Sequence, residues 1–187
     1  MKNTPERGWL VLVVGPSGVG KDTLIDGARA ALADNPQVVF LRREITRPAE
    51  AGGEDHQPIS ETEFQSRQAA GAYLLSWTAH GLCYGAPASA LKDLTQGRTV
   101  VVNVSRGVID EARRLYHPVR VIAVSADPDQ LAERLRQRGR ESAAEVVDRI
   151  AQAQAYDVTG DDVVALKNDG SREAGVMAMI RAIMIEP

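Results

Sequence analysis

Gly15-Pro-Ser-Gly-Val-Gly-Lys-Asp22 is the segment whose residue types and spacing point most directly to chemistry. Its glycines let successive backbone N–H groups curl toward one point, and Lys21 adds an ammonium. A helix starting at the lysine would add its positive dipole end to the same field. Such a loop cradles the phosphates of a nucleotide, with the lysine reaching the β- and γ-phosphates. Gly15, Pro16, Ser17, Gly18, Val19, Gly20, Lys21, Asp22 and Thr23 are therefore the candidate nucleotide-binding residues. A Ser or Thr hydroxyl usually follows the lysine and holds Mg²⁺. Here Asp22 stands there, with Thr23 next. Asp22 is the candidate magnesium ligand, directly or through water, and capping the first helical turn is its alternative role. The segment Val102-Asn103-Val104 offers no aspartate to share the metal. Magnesium is thus expected to be held mostly by phosphates and water.

A second cluster is cationic. Lysine occurs only at positions 2, 21, 92 and 167, which leaves 18 of the 22 basic residues as arginine. Arginine grips phosphate bidentately, whereas lysine acts as a point charge. Genomic base composition would produce the same bias, so position has to decide. Arg134-Leu-Arg-Gln-Arg-Gly-Arg140 concentrates four arginines, and Arg149 follows. On a helix Arg134 and Arg138 share a face, with Leu131 and Leu135 on the adjacent apolar stripe. Gly139 can end that helix, which makes 139–142 a hinge. Phosphoryl transfer needs positioning and charge neutralisation, and a mobile arginine-bearing lid supplies both. The competing reading is a solvated helix whose cations pair with Glu133, Glu141 and Glu145.

These groups need a scaffold. Leu10–Val14 is a continuous apolar run before the glycines, the pattern of a buried parallel strand. Helical spacing follows over Lys21–Ala33, and Val38–Leu41 is a second short strand. The pattern weakens from Arg42 to Gly97, which reads as an insertion with short elements, including a helix at Glu61–Gln68. Regular alternation returns with a strand over Thr99–Val104, a helix from Arg106 to Leu115 and a strand over Val119–Val124. Two arginine-rich helices, Asp129–Arg138 and Ser142–Tyr156, precede a strand at Val163–Leu166 and a helix at Ser171–Ile185. Alternating β and α units imply a parallel sheet flanked by helices, with ligands at the carboxyl ends of its strands.

Composition sets the outer limits. The 187 residues are 44% hydrophobic and 25% charged, which fits a single globular domain over 1–187 and excludes a disordered chain. The net charge of −3 argues against a nucleic-acid partner or an acidic membrane surface. No run approaches the ~18 apolar residues of a membrane span. Trp9–Val14 is too short for a signal-peptide core. The one cysteine, Cys83, excludes an internal disulfide and points to a reducing cytoplasm. No charged neighbour suggests a thiolate there.

Four segments, in order and spacing, resemble the guanylate kinases: the glycine loop, Ile45-Thr-Arg47, His80-Gly-Leu-Cys-Tyr-Gly85 and the arginine-rich stretch. The resemblance covers nearly the whole chain. It implies a P-loop NTPase fold of class α/β with an acceptor-binding insertion at about 42–97 and a lid at about 134–150. It also implies that Arg47 and Tyr84 grip the acceptor's phosphate. Arg134, Arg138 and Arg149 would contact ATP and the transferring group, and Asn168 would lie where the family contacts adenine. The guanine-reading residues are missing. Leu75 stands in place of a glutamate and Ser105 in place of an aspartate. Guanine donors left unpaired there would cost ~1–3 kcal/mol each. A second arginine just after Arg47 is absent, and His56 stands where a tyrosine is usual.

Those departures resemble a related family, the ribose 1,5-bisphosphate phosphokinases of phosphonate use. Gly-Lys-Asp22, Arg43-Glu-Ile-Thr-Arg47, Glu54-Asp-His56, Leu75-Ser-Trp77, Asn103-Val-Ser-Arg106, Arg138-Gly-Arg-Glu141 and Asn168-Asp-Gly-Ser171 carry the likeness. It implies an ATP- and Mg²⁺-dependent transfer to the 1-phosphate of ribose 1,5-bisphosphate, giving phosphoribosyl diphosphate. An acceptor with two phosphates and no base needs cations and no guanine pocket. Arg47, His56, Tyr84 and Arg106 are the candidate substrate-binding residues, with Arg42 and Arg43 as further cations. The acceptor's own phosphate has a second pKa of ~6, so no general base is required. His80 is expected to be structural, packed under Tyr84, and Trp77 to be core or pocket wall. A guanylate kinase with a rebuilt base pocket and a non-catalytic scaffold are the alternatives. The expected partner is this small-molecule substrate, and a homodimer is left open.

Overall fold

The computed structural model describes residues 7–48, 55–138 and 157–185, with backbone alone for Gln137 and Arg138. In chain order the elements are β1 (Leu10–Val14), α1 (Lys21–Ala31), β2 (Val38–Phe40), β3 (Arg43–Ile45), β4 (His56–Pro58), α2 (Glu61–Ala69), β5 (Tyr73–Ala79) and β6 (Leu82–Pro87). There follow α3 (Ala90–Thr95), β7 (Thr99–Asn103), a 3₁₀ turn (Arg106–Val108), α4 (Ile109–Leu115), β8 (Val119–Ser125), α5 (Pro128–Arg138), β9 (Val163–Lys167) and α6 (Arg172–Met184). A five-stranded sheet has the order β2-β7-β1-β8-β9 and a four-stranded sheet the order β4-β3-β6-β5. β2–β7 and β8–β9 pair in parallel, as the alternating pattern predicts. All five residues of β1 are fully buried, which is why that run reads as continuously apolar.

The chain divides into two compact units. The first holds Met1–Leu12 and Ala33–Arg120. Its four-stranded sheet lies where the sequence pattern shows only an irregular insertion. β3 pairs in parallel with β4 and antiparallel with β6, which forms a hairpin with β5. The strands are short and carry polar residues at positions where an apolar alternation would betray a strand: Arg43, Glu44 and His56 are all buried. His80 and Gly81 form the hairpin turn with φ of 52° and 73°, the positive pair that matches strand twist. His80 is thus exposed at a turn and not packed under Tyr84. Ser60 caps α2 by accepting from Glu63 N at 3.2 Å, and α2 then packs on β5 and β6.

Under α2, Glu44 is neutralised by two partners. Tyr73 Oη donates to Glu44 Oε2 at 2.6 Å, and Arg67 Nη2 lies 2.9 Å from Glu44 Oε1. Phe64 stacks on the Tyr73 ring with centroids 4.9 Å apart. Burial first, and then the bond to Glu44, push the Tyr73 phenol above its ordinary range.

The second unit holds Val13–Leu32 and Val121–Pro187. α1 packs on α6, burying Leu24, Ile25 and Ala28 with Met179, Ala182 and Ile183. Ser171 caps α6 by accepting from Ala174 N at 3.2 Å. α5 starts at Pro128 after Asp127, whose Oδ1 accepts from Asp129 N at 3.0 Å. Its buried stripe is Leu131, Ala132 and Leu135. The helix expected at 106–115 begins as the 3₁₀ turn, and the one expected at 142–156 lies outside the described residues. Only 134–138 of the expected lid are described.

Tyr73→Phe removes one partner of the buried Glu44 carboxylate. Urea unfolding at pH 7 should show stability lower by about 1–2 kcal/mol with an unchanged m value.

Candidate functional site

The candidate donor residues belong to the second unit. The glycine loop joins β1 to α1, as its spacing predicts, and Gly18 and Gly20 adopt φ of 90° and 91°. Left-handed residues of this kind let the backbone amides of a loop converge as a nest. Lys21 opens α1 and folds back over the loop, its Nζ donating to Gly15 O at 2.6 Å and to Pro16 O at 2.8 Å. The ammonium is therefore held at the rim of the nest. Asp22 sits in the first turn of α1, where a carboxylate also complements the helix dipole. Among the described residues no group of three or more His, Cys, Asp or Glu side chains is placed to hold a metal ion. A lone carboxylate beside the loop fits a magnesium ion carried in by phosphates and water.

β9 ends directly against this loop. Asn168 follows β9 and is 7% exposed, with its Nδ2 donating to Val19 O at 2.7 Å. Arg134, on α5, donates from Nη2 to Asn168 O at 2.8 Å. A longer approach of 3.4 Å joins its Nη1 to Val19 O. The structure thus brings Lys21, the loop, Arg134 and Asn168 together. Arg138 is described by its backbone only, and Arg149 lies outside the described residues.

Sequence reasoning passed over the next residue, Asp169. Its Oδ1 accepts from Asp127 N at 2.6 Å and its Oδ2 lies 2.6 Å from Lys167 Nζ. Its carbonyl also accepts from Gln130 Nε2 at 3.1 Å. The start of α5, and with it Arg134, is fastened to the end of β9. The side-chain bond from Lys167, then the Asp127 amide, hold the Asp169 carboxyl below its ordinary value. An Asp-Gly pair after an apolar run is the only signal the sequence offers for this, and it reads equally as a turn.

The candidate acceptor residues belong to the first unit. Arg43 pairs with His56, Ile45 with Tyr84 and Trp77 with Tyr84 in the sheet register. Residues opposite one another share a face, so Arg43, His56, Trp77 and Tyr84 line one side of the four-stranded sheet. Trp77 and Tyr84 stack with centroids 5.4 Å apart and an interplanar angle of 3°. The Arg43 guanidinium lies 5.5 Å from the Trp77 centroid and 5.4 Å from that of Tyr84. Leu75, on the same strand as Trp77, is only 1% exposed.

Arg47 follows β3, and the backbone on both sides of it is fixed. Thr46 N donates to Cys83 O at 3.1 Å, and Cys83 N donates to Thr46 Oγ1 at 2.8 Å. His56 Nε2 donates to Arg47 O at 3.0 Å. His56 is 4% exposed, so its ring serves the loop that carries Arg47. Arg106 is exposed on the 3₁₀ turn, which packs against β5. Ser105 caps that turn by accepting from Gly107 N at 3.3 Å. Arg42 is an exposed surface cation, bonded to Asp55 Oδ1 at 2.8 Å and Gln57 Oε1 at 3.2 Å.

Comparison with known proteins places this geometry in context. The sequence profile of a family described as AAA domain matches residues 10–159. A ribose 1,5-bisphosphate phosphokinase from Acidiphilium cryptum is 51% identical over 180 residues, covering 96% of this chain and 94% of the relative. One from Brucella melitensis is 42% identical over 178 residues, covering 95% of this chain and 92% of the relative. Among solved structures, guanylate kinase from Anaplasma phagocytophilum aligns with a TM-score of 0.63 at 17% identity, covering 95% of this chain and 85% of that one. That likeness is one of fold.

The Asp169 brace gives a pH test. A depressed folded-state pKa contributes stability that is present above the unfolded value, near 3.8, and is lost as pH falls through the folded value. The difference in unfolding free energy between wild type and Asp169→Asn should therefore shrink as urea melts are repeated from pH 6 down to about pH 3.

Proposed function

The chain belongs to the family of ribose 1,5-bisphosphate phosphokinases, and from that premise we propose that it transfers the γ-phosphoryl group of ATP to the 1-phosphate of ribose 1,5-bisphosphate. An oxygen of the 1-phosphate attacks the γ-phosphorus, and the bond to the β–γ bridging oxygen breaks. The products are ADP and 5-phospho-α-D-ribose 1-diphosphate. The second pKa of a phosphate is ~6, so the attacking oxygen is ionised at neutral pH and no side chain has to remove a proton.

On this reading Gly15 through Thr23 bind the donor's phosphates, and Lys21 leaves its two loop carbonyls for the β- and γ-phosphates. Arg134, Arg138 and Arg149 neutralise charge on the transferring group, which is the main task in phosphoryl transfer. Asn168 belongs to the donor site. Asp22 is the residue that would hold Mg²⁺, which when bound neutralises phosphate charge and fixes its orientation. Arg47 and Tyr84 grip the acceptor phosphate, His56 positions Arg47, and Arg106 adds a cation at the rim.

One observation carries the choice of acceptor: the sheet face bearing Tyr84 presents Arg43, His56 and Trp77 and a buried Leu75, with no carboxylate among them. A guanine base needs hydrogen-bond acceptors for its ring N–H and amino group. A sugar phosphate needs cations and an amphipathic wall. Arg43, packed on two aromatic rings, supplies both.

The deciding experiment is ADP release measured with a panel of acceptors. Turnover with ribose 1,5-bisphosphate and none with GMP is expected; the reverse would overturn the reading. In the same assay Arg47→Ala should raise the acceptor KM at least about tenfold and leave the ATP KM within about threefold, as removal of one charge-assisted bond predicts.

A further inference from the structure

We propose that Asn168 is a positioning residue for the donor loop, its side-chain amide fixing the Val19–Gly20 peptide so that the Gly20 N–H is presented to phosphate. The residue itself is immobilised before it touches the loop. Its backbone N–H donates to Ser125 O at 2.8 Å and its carbonyl accepts from Arg134 Nη2 at 2.8 Å. From that fixed base, Nδ2 reaches Val19 O at 2.7 Å. In a trans peptide the C=O and the following N–H point in opposite directions. Drawing the Val19 carbonyl toward Asn168 therefore commits the Gly20 N–H to the other side, into the nest.

The surroundings are shaped to the amide. A Cβ on Gly20 would stand 2.8 Å from Asn168 Nδ2, and one on Gly175, in α6, would stand 2.8 Å from Asn168 Oδ1. Two glycines flank the side chain, one on each polar atom. An amide turned to contact an adenine would have to leave both Val19 O and this slot. Gly20 also holds φ of 91°, a conformation with no side-chain support of its own. The hydrogen bond to the preceding carbonyl supplies that support.

The inference rests on the loop being the cradle for the donor's phosphates, and the test separates the two. Binding of inorganic tripolyphosphate and of ATP, each with Mg²⁺, is measured by calorimetry on wild type and on Asn168→Asp. Wild type should bind both ligands; no tripolyphosphate binding there overturns the cradle itself. In Asn168→Asp an acceptor replaces the donor that faces Val19 O. Both dissociation constants should rise at least about tenfold, by equal factors, as loss of one buried hydrogen bond predicts. The acceptor KM should be unchanged. Weakened ATP with undiminished tripolyphosphate would show that the amide serves the base, and would overturn the proposal. So would wild-type affinity for both. Gly175→Ala keeps every polar atom and crowds the amide, with Leu24 Cδ2 as its other close neighbour, so it gives the same readout if the Asp variant does not fold. Unchanged tripolyphosphate binding in Gly175→Ala would then overturn the proposal.

Discussion

The glycine loop is held to the rest of its unit at one backbone carbonyl, that of Val19. Val19 has no exposed surface, and its oxygen accepts a short bond of 2.7 Å from Asn168 Nδ2 and a longer one of 3.4 Å from Arg134 Nη1. Leaving such a group unmatched costs about 1–3 kcal/mol, a large fraction of a domain's net stability. The loop is thus tied to the end of β9, and β9 in turn is tied through Asp169 to the start of α5. Three segments far apart in sequence are set by one chain of hydrogen bonds. On the proposed reading, a phosphate entering the nest would meet amides already aimed, which would remove ordering cost from the binding step.

On the other unit, strand alternation does the sorting of charge. Arg43 and Glu44 are neighbours, both 7% exposed, and would neutralise one another if they met. Because successive residues point to opposite faces, Glu44 goes to the α2 side, where Tyr73 and Arg67 take both its oxygens. Arg43 goes to the face with Trp77 and Tyr84 and lies over both rings. A lysine would not serve equally, because the planar guanidinium lies flat on rings while still offering N–H groups at its edge. A one-residue register slip in β3 would exchange the two charges and turn a cationic face into an anionic one.

Much of this was readable from the sequence, and the unreadable part has physical reasons. The glycine loop, β1, α1 and the later β–α alternation announce themselves because buried parallel strands are continuously apolar and helices repeat at a fixed period. The four-stranded sheet does not. Its strands β3 and β4 are three residues each, too short for periodicity, and their buried residues Arg43, Glu44 and His56 are polar. The positions of Arg47 and Tyr84 were accessible by resemblance, but the hydrogen bond from His56 to the Arg47 carbonyl was not, since a side chain that serves a backbone atom leaves no motif. Asp169 escaped for a similar reason: its carboxylate meets the Asp127 backbone amide and a surface lysine, and its own carbonyl accepts from the Gln130 side chain.

The abundance of arginine shows why position outweighs count. Arg29, Arg113 and Arg136 pair with acidic residues three positions away on their own helices, and Arg42 and Arg98 pair with Asp55 and Asp93. The exposed ones among these pairs contribute about 0–1 kcal/mol each. Arg120 is buried on the Trp9 ring, where desolvation lowers its pKa and the aromatic face compensates. The arginines proposed to meet phosphate show backbone and ring contacts. Arg134 holds Asn168 O, Arg47 has its carbonyl fixed by His56, and Arg43 lies on stacked rings. Contacts to backbone carbonyls and π-faces fix where a guanidinium sits, and on the proposed reading it is this placement, more than the number of arginines, that serves a phosphate.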